Sequence, residues 1–213
     1  VDQWCFSLLI QLNTKFNVEL TSPRKFHQYS TFDIDNAYAF KGKSLSRSLG
    51  SFFKDLISFR FYKLKQRLEF LLGKTKDPYD NYDYILDFLK TNQLKSIFFF
   101  LLGDYAKMDK NIDHNHPYIL NLIRTIYKNH LIGIHPSYKS FNNLETLKME
   151  ISRLDKITSK TIISRFHYLK FTLPKSYQIL LKSGIKQDYS MGFSDRIGFR
   201  AGTCTPFYFY DLE

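Results

Sequence analysis

Residues 29–36 have the sequence Tyr-Ser-Thr-Phe-Asp-Ile-Asp-Asn, a short β-favouring run with two carboxylates, Asp33 and Asp35, where the apolar pattern ends. In a strand, residues i and i+2 lie on the same face, so both carboxylates are expected to point the same way. Two anions this close repel each other unless a cation or an arginine lies between them. A solvated strand end also explains an isolated Asp-x-Asp, so the rest of the chain decides between the two interpretations.

Outward from this stretch, predicted strands and helices alternate along the chain. Five strands are predicted. Three cover residues 96–104, 131–135 and 161–170, one ends near residues 33–35, and the last ends near residue 188. Helices are predicted over 1–20, 82–91, 115–129, 140–158 and 175–183, and the segment 44–73 is predicted to form one long helix or two joined ones. This alternation predicts an α/β fold with parallel strands, arranged either as an open sheet or as a barrel.

Polar residues close each of these predicted strands. In parallel α/β folds the active site lies at the carboxyl ends of the strands, so these residues are expected to converge on one rim. The strand-end residues are Asp33, Asp35, Asp104, His135, Arg165, His167 and Asp188.

Aspartate and histidine together suit Zn²⁺ or another divalent ion with open coordination positions. Such an ion lowers the pKa of bound water and polarises a carbonyl. Asp35 would hold the metal while Asp33 takes the proton of the water as general base, and Arg165 would keep Asp33 ionised and oriented. These groups are sufficient to hydrolyse an amide or an ester.

Several motifs, in this order, resemble the polysaccharide deacetylase-like proteins of the NodB-homology superfamily, and in particular a bacterial branch linked to surface-polysaccharide gene clusters. The resemblance covers roughly residues 25–213. The motifs are Thr-Phe-Asp-Ile-Asp (31–35), Phe-Phe-Phe-Leu-Leu-Gly-Asp-Tyr (98–105), Asp-Lys-Asn (109–111), Ile-Gly-Ile-His-Pro-Ser-Tyr (132–138), Ser-Arg-Phe-His-Tyr-Leu (164–169), Asp-Tyr-Ser-Met-Gly (188–192) and Gly-Phe-Arg-Ala-Gly-Thr (198–203).

The resemblance implies a distorted (β/α) barrel that removes acetyl groups from N-acetylated or O-acetylated sugars with a divalent metal, zinc or else cobalt or nickel. By the same resemblance Asp33 matches the catalytic base, and Asp35 and His135 match metal ligands. Arg165 matches the arginine that orients the base. A carbohydrate is therefore the expected substrate.

The sequence departs from the family pattern at two places. The second histidine of the metal motif, four residues after His135, is replaced by Lys139, and the late Leu-x-His segment that supplies the general acid has no counterpart before Glu213. Either His167 replaces the missing ligand and the acid lies beyond the sequence given, or the domain is a non-catalytic glycan-binding barrel. A hydrogen bond inside the barrel would also explain His167, which lies between Phe166 and Tyr168.

Other polar residues are weaker candidates. Asp104 and Asp188 are predicted to contact sugar hydroxyls, with a strand-end turn as the alternative for each. Arg200 either contacts substrate or closes the barrel through an ion pair. His114 and His116 precede Pro117, which indicates a helix N-terminus more than a metal site.

Composition limits the remaining possibilities. The 213 residues are expected to form an N-terminal helical segment, 1–24, and one domain, 25–213, truncated at its C-terminal end. The net charge of +11 comes from lysines without a block of like charges, so no nucleic-acid partner is predicted unless a basic face exists. Cys5 and Cys204 have no metal-type or disulfide spacing. The apolar runs are too short to span a membrane, and without a signal peptide the cytoplasm is the expected location.

Overall fold

A computed structural model describes residues 1–212, so Glu213, the last residue of the predicted domain, lies outside it. The described chain contains five strands: β1 (Ser30–Ile34), β2 (Ser96–Phe100), β3 (Leu131–Ile134), β4 (Ile163–Ser164) and β5 (Gln187–Asp188). It contains seven α-helices: α1 (Asp2–Phe16), α2 (Leu45–Ile57), α3 (Phe61–Leu71), α4 (Tyr82–Thr91), α5 (Pro117–Tyr127), α6 (Leu144–Asp155) and α7 (Lys175–Lys182).

The predicted alternation of strands and helices is confirmed, and the segment 44–73 forms two helices, α2 and α3, which is one of its two predicted forms. Two predicted strands differ in their boundaries. The strand predicted over 96–104 ends at Phe100. The strand predicted over 161–170 is only β4, because the chain turns after it into a short 3-10 helix, His167–Leu169, with positive φ at Tyr168 and Leu169.

The five strands form one parallel sheet in the order β1-β2-β3-β4-β5. An α/β fold with parallel strands is therefore confirmed. Within residues 1–212, β1 and β5 remain at the two edges of the sheet, so the predicted closure into a barrel is not confirmed.

Both faces of β2 are buried, which agrees with its continuous apolar sequence. Phe98 and Phe100 point to an outer face, where they pack against helices that contribute Ile123 and Leu147. Ile97 and Phe99 point to the opposite face, which we call the inner face, and they form a small cluster there with Ile163, Ile162 and Tyr189. The period of two along β2 thus divides its side chains between two cores.

Gly133 leaves room for Phe99 on the inner face. A Cβ at Gly133 would lie 2.8 Å from Cδ1 and Cε1 of Phe99 and 2.9 Å from the carbonyl oxygen of Ile163. The Phe99 ring lies 5.7 Å from that of Tyr189, next to β5, although three strand spacings on a flat sheet would separate them by about 14 Å. The sheet therefore curves around Phe99.

We expect Gly133→Ala to lower the free energy of unfolding by about 1–3 kcal/mol, because the added methyl group overpacks the space between Phe99 and β4. Urea denaturation followed by circular dichroism measures this change. Gly50→Ala in α2 is the matched control, since nothing lies within 4 Å of its Cβ position. That control should gain about 0.5–1 kcal/mol from helix propensity, and equal effects of both substitutions would contradict the packing argument.

A buried carboxylate connects α6 to the loop that follows β3. Glu150 accepts hydrogen bonds from the backbone N–H of Ser137 at 3.0 Å and from its hydroxyl at 2.5 Å. Burial raises the pKa of Glu150 above its ordinary value, and the hydrogen bonds from Ser137 offset only part of this effect. The charged form is therefore less favourable in the folded protein than in the unfolded chain.

Because the folded pKa is raised, Glu150 stabilises the fold below its unfolded pKa, and this contribution is lost as pH rises through the folded value. Glu150→Gln removes the titration and can still bond Ser137. We expect the stability of the wild type relative to this variant to fall above pH about 4.5, by up to about 1.4 kcal/mol per pH unit. Urea denaturation of both proteins across pH measures it, and a difference independent of pH would contradict it.

Candidate metal centre

The inner face of the sheet extends past the strand ends into a group of polar residues. Asp33 pairs with Phe99 in the sheet register and lies on this face, and Asp35 follows two residues later. His135 follows Gly133 in the same way, and Arg165 follows Ile163. Since side chains two residues apart share a face, all these polar groups are delivered to the same edge of the sheet.

Asp35, His135 and His167 meet at this edge. Nε2 of His135 lies 3.1 Å from Oδ1 of Asp35, and Nε2 of His167 lies 3.5 Å from Oδ2 of the same carboxylate. One ligand atom from each residue lies within 4.8 Å of the other two, so the three residues can hold a metal ion. Both imidazoles are buried, whereas the carboxylate is half exposed and faces a cleft.

Hydrogen bonds on the far side of each imidazole fix its tautomer. Nδ1 of His135 lies 2.5 Å from the carbonyl oxygen of Arg165, and Nδ1 of His167 lies 3.0 Å from Oδ1 of Asp109. Both partners can only accept, so each Nδ1 carries the proton. In the neutral imidazoles, each Nε2 then presents a lone pair to Asp35, which is the arrangement found around protein-bound metals.

The charges around the two histidines favour a cation between them. Partial burial raises the pKa of Asp35, but hydrogen bonds and charge from His135 and His167 lower it by more than burial raises it. The pKa of Asp35 is therefore well below its ordinary value. Burial lowers the pKa of His167, and Asp35 and Asp109 raise it more, so the net shift is upward. Lone pairs and carboxylates that face each other require positive charge, which protons or a metal ion can supply.

Asp109 is the residue of this site to which the sequence analysis assigned no role. Its side chain is fully buried, and Oδ1 accepts hydrogen bonds from His167 and from the backbone N–H of Tyr138 at 2.9 Å. Its Oδ2 has no hydrogen-bond partner among the described residues. The signal available was the motif 109–111, but its position in a loop gave no indication of what Asp109 contacts.

Asp33 is held beside the three candidate ligands by Arg165. The guanidinium donates to Oδ1 of Asp33 at 3.0 Å and, through Nε, to the carbonyl oxygen of Tyr189 at 3.1 Å. The same group lies 4.6 Å from the centre of the Phe99 ring. Three contacts therefore fix the position of Arg165 next to Asp33.

These residues open on a cleft of about 450 Å³. Asp33, Asp35 and the histidines lie at one part of its surface, and the aromatic side chains of Tyr168, Tyr189 and Phe193 contribute to the rest. A volume of this size lies within the range of small-ligand sites, and the combination of apolar rings with a few polar groups is typical of them.

The structure places the three predicted substrate-binding residues away from this cleft. Asp104 pairs with Arg153 at 2.8 Å and lines a separate cleft of about 380 Å³. Asp188 pairs in register with Ser164, so it points to the outer face and accepts the Ser164 hydroxyl at 2.8 Å. Arg200 is exposed, with its guanidinium 4.6 Å from the centre of the Phe171 ring.

Lys139 and the remaining histidines also lie outside the candidate metal site. Lys139 is exposed in a short 3-10 helix, Tyr138–Ser140, and the third member of the group that can hold a metal ion is His167. His116 is the N-cap of α5 and accepts from the backbone N–H of Tyr118, as its position before Pro117 indicated. His114 lines the second cleft. Cys5 and Cys204 are both unpaired.

Compared with protein-family models, with curated proteins and with solved structures, the chain matches none of them. None of the helices within residues 1–212 is both long and apolar enough to cross a bilayer. The function of the chain is therefore inferred from the geometry of the candidate metal centre and from the sequence motifs that contribute its residues.

We expect the protein to bind one Zn²⁺, and Asp35→Ala or His167→Ala to abolish this binding, because each removes one of three ligands. Asp109→Asn should weaken binding about 10–100-fold, since it alters the group that orients His167. Isothermal titration calorimetry at neutral pH measures all four proteins. His27→Ala, which changes an exposed histidine elsewhere, is the control, and a similar loss of binding in this variant would contradict the assignment.

Proposed function

We propose that the chain is a metal-dependent deacetylase of N-acetylated or O-acetylated sugars, built on a distorted (β/α) barrel of the polysaccharide deacetylase type. The observation that carries this proposal is the position of Asp33, which Arg165 holds next to the group of Asp35, His135 and His167 in one cleft. A general base beside a metal site is the arrangement that hydrolysis of an acyl group needs.

Each side chain has a separate role in this proposal. A bound divalent ion, zinc or else cobalt or nickel, would supply Lewis acidity toward the acyl carbonyl and lower the pKa of water. Asp35, His135 and His167 bind the ion, and Asp109 keeps the ring of His167 in the required tautomer. Asp33 accepts the proton of the attacking water on Oδ2, because its Oδ1 already accepts from Arg165, and it passes this proton to the sugar nitrogen or oxygen as the bond to the acyl carbon breaks.

The walls of the cleft suit a carbohydrate. Sugar rings present apolar C–H surfaces that stack on aromatic side chains, and Tyr168, Tyr189 and Phe193 provide such surfaces next to the polar groups. The roles expected of Asp104, Asp188 and Arg200 gain no support from their positions, so the proposal assigns sugar contacts to the three aromatic residues.

We expect the zinc-loaded protein to release acetate from acetylated oligosaccharides, and Asp33→Asn to lower kcat about 10²–10⁴-fold while zinc still binds. Asp33 is not a ligand in this scheme, so its loss should separate catalysis from metal binding. Release of acetate from a panel of acetylated oligosaccharides measures activity, and calorimetry measures zinc. Asp195→Asn, which changes an exposed aspartate paired with its neighbour Arg196, should leave kcat unchanged.

The alternative is a glycan-binding domain without catalysis, which Lys139 at the position of the family's second histidine favours. Oligosaccharide binding without acetate release by the zinc-loaded protein would support this alternative and exclude the deacetylase.

A further inference from the structure

Residues 42–76 form a segment that leaves the sheet after β1 and returns to it before β2. One carboxylate, that of Asp77, joins the two ends of this segment, which we call the excursion. The side chain of Asp77 accepts hydrogen bonds from the backbone N–H groups of Ala39, Phe40 and Lys41 at 2.8, 2.7 and 2.9 Å. Helices α2 and α3 lie within this excursion and pack mainly against each other. Of the helices between β1 and β2, α4 packs against the sheet and contributes Leu89 to the core.

Both helices of the excursion expose apolar side chains. Leu45, Leu49, Phe53 and Leu56 recur at three- and four-residue steps along α2, so they share one side of the helix, and all four are exposed. Leu45 is 84% exposed. On α3, Phe61 and Leu68 lie seven residues apart, on the same side of the helix, and both are exposed, as is Leu72 directly after the helix. Few apolar side chains of the two helices are buried, so the hydrophobic surface is directed outward.

The same excursion is strongly basic. Residues 45–76 contain eight Lys and Arg against two Asp and Glu, a net charge of +6, which is more than half of the net charge of the whole chain. Both acids are shielded: Asp55 is buried beside Arg67, and Glu69 is partly buried and lies 3.8 Å from Lys65. Six of the cations are exposed: Lys54, Arg60, Lys63, Lys65, Lys74 and Lys76.

We infer that the face formed by residues 45–76, called here the basic apolar face, binds the surface of an anionic lipid bilayer. An amphipathic helix with leucine and aromatic residues on one side and exposed Lys and Arg around them lies in the interface of such a membrane. The apolar side chains enter the acyl boundary, and the cations contact the headgroups. No helix needs to cross the bilayer.

The charge distribution distinguishes this partner from the alternatives. A second copy of the chain would bring another +6 face against the first, and like charges in contact oppose association. A nucleic acid would match the charge but would leave exposed aliphatic residues such as Leu45, Leu49 and Leu72 without a suitable surface. The other exposed apolar helix, α1, has one Asp and one Lys and lacks this bias.

Co-sedimentation with vesicles tests the inference. We expect the protein to bind vesicles of equimolar phosphatidylcholine and phosphatidylserine and to bind pure phosphatidylcholine at least about tenfold more weakly. Leu49→Gln/Phe53→Gln and Lys54→Glu/Lys63→Glu should each weaken binding to the anionic vesicles at least about tenfold. The binding of the wild type should also fall as salt is raised.

Matched variants control for general effects of hydrophobicity and charge. Leu181→Gln/Tyr84→Gln removes exposed apolar residues on other helices, and Lys148→Glu/Lys186→Glu reverses the same number of charges outside the basic apolar face. Both controls should bind anionic vesicles like the wild type, and circular dichroism verifies that every variant folds.

Three results would overturn the inference. The first is equal binding to both kinds of vesicle, or none. The second is a dimer in light scattering that Leu49→Gln/Phe53→Gln dissociates while vesicles are not bound. The third is tight binding of a single-stranded oligonucleotide that Lys54→Glu/Lys63→Glu abolishes, without vesicle binding. The inference does not depend on the proposed function, because Asp35→Ala, which lacks a metal ligand, should still bind vesicles.

Discussion

The alternation of side chains along parallel strands in register is the constraint on which the rest of this structure depends. On the inner face one large ring, Phe99, fills the space between neighbouring strands, and this is possible because Gly133 beside it has no side chain. Two residues beyond the packed positions, the same alternation places Asp35 and His135 over the end of this small core. The part of the candidate metal centre that Asp35 and His135 form is therefore the continuation of a packing pattern with a period of two.

The electrostatics of the centre follow from how its histidines are anchored. Because each Nδ1 donates to an oxygen that can only accept, both Nε2 atoms face Asp35 with lone pairs unless protons are bound. Asp109 adds a second carboxylate in a fully buried position. Two carboxylates and two neutral imidazoles carry a charge of −2, which one divalent cation neutralises. Without a cation, a proton on His167 supplies part of the positive charge, and the raised pKa of His167 agrees with this.

The sequence was sufficient to predict those parts of the site that depend on local pattern. Asp33, Asp35 and His135 close runs with a clear strand pattern, and the carboxyl-end rule then places them together. The sequence was not sufficient where a strand was too short to show which of its side chains face each side of the sheet. In β5, which has two residues, nothing in the sequence distinguishes Asp188 on the outer face from Tyr189 beside Arg165. Asp104 was included because the apolar run 96–104 continues four residues past the end of β2. Asp109 was missed because its contacts depend on the path of a loop, which has no periodicity.

The excursion between β1 and β2 shows how a chain can carry a second surface without disturbing the first. Asp77 joins residues 39–41 to the start of the segment that leads into α4. The two ends of the excursion are therefore held together by contacts that do not involve the side chains of α2 and α3. Closing a loop at its base makes the entropic cost of further residues small, because that cost grows only with the logarithm of loop length. Selection on α2 and α3 can therefore change their exposed side chains with little effect on Asp33 and Asp35. The exposed leucines of α2 and α3 add nothing to the core, and a contiguous exposed apolar surface is typical of an interaction site.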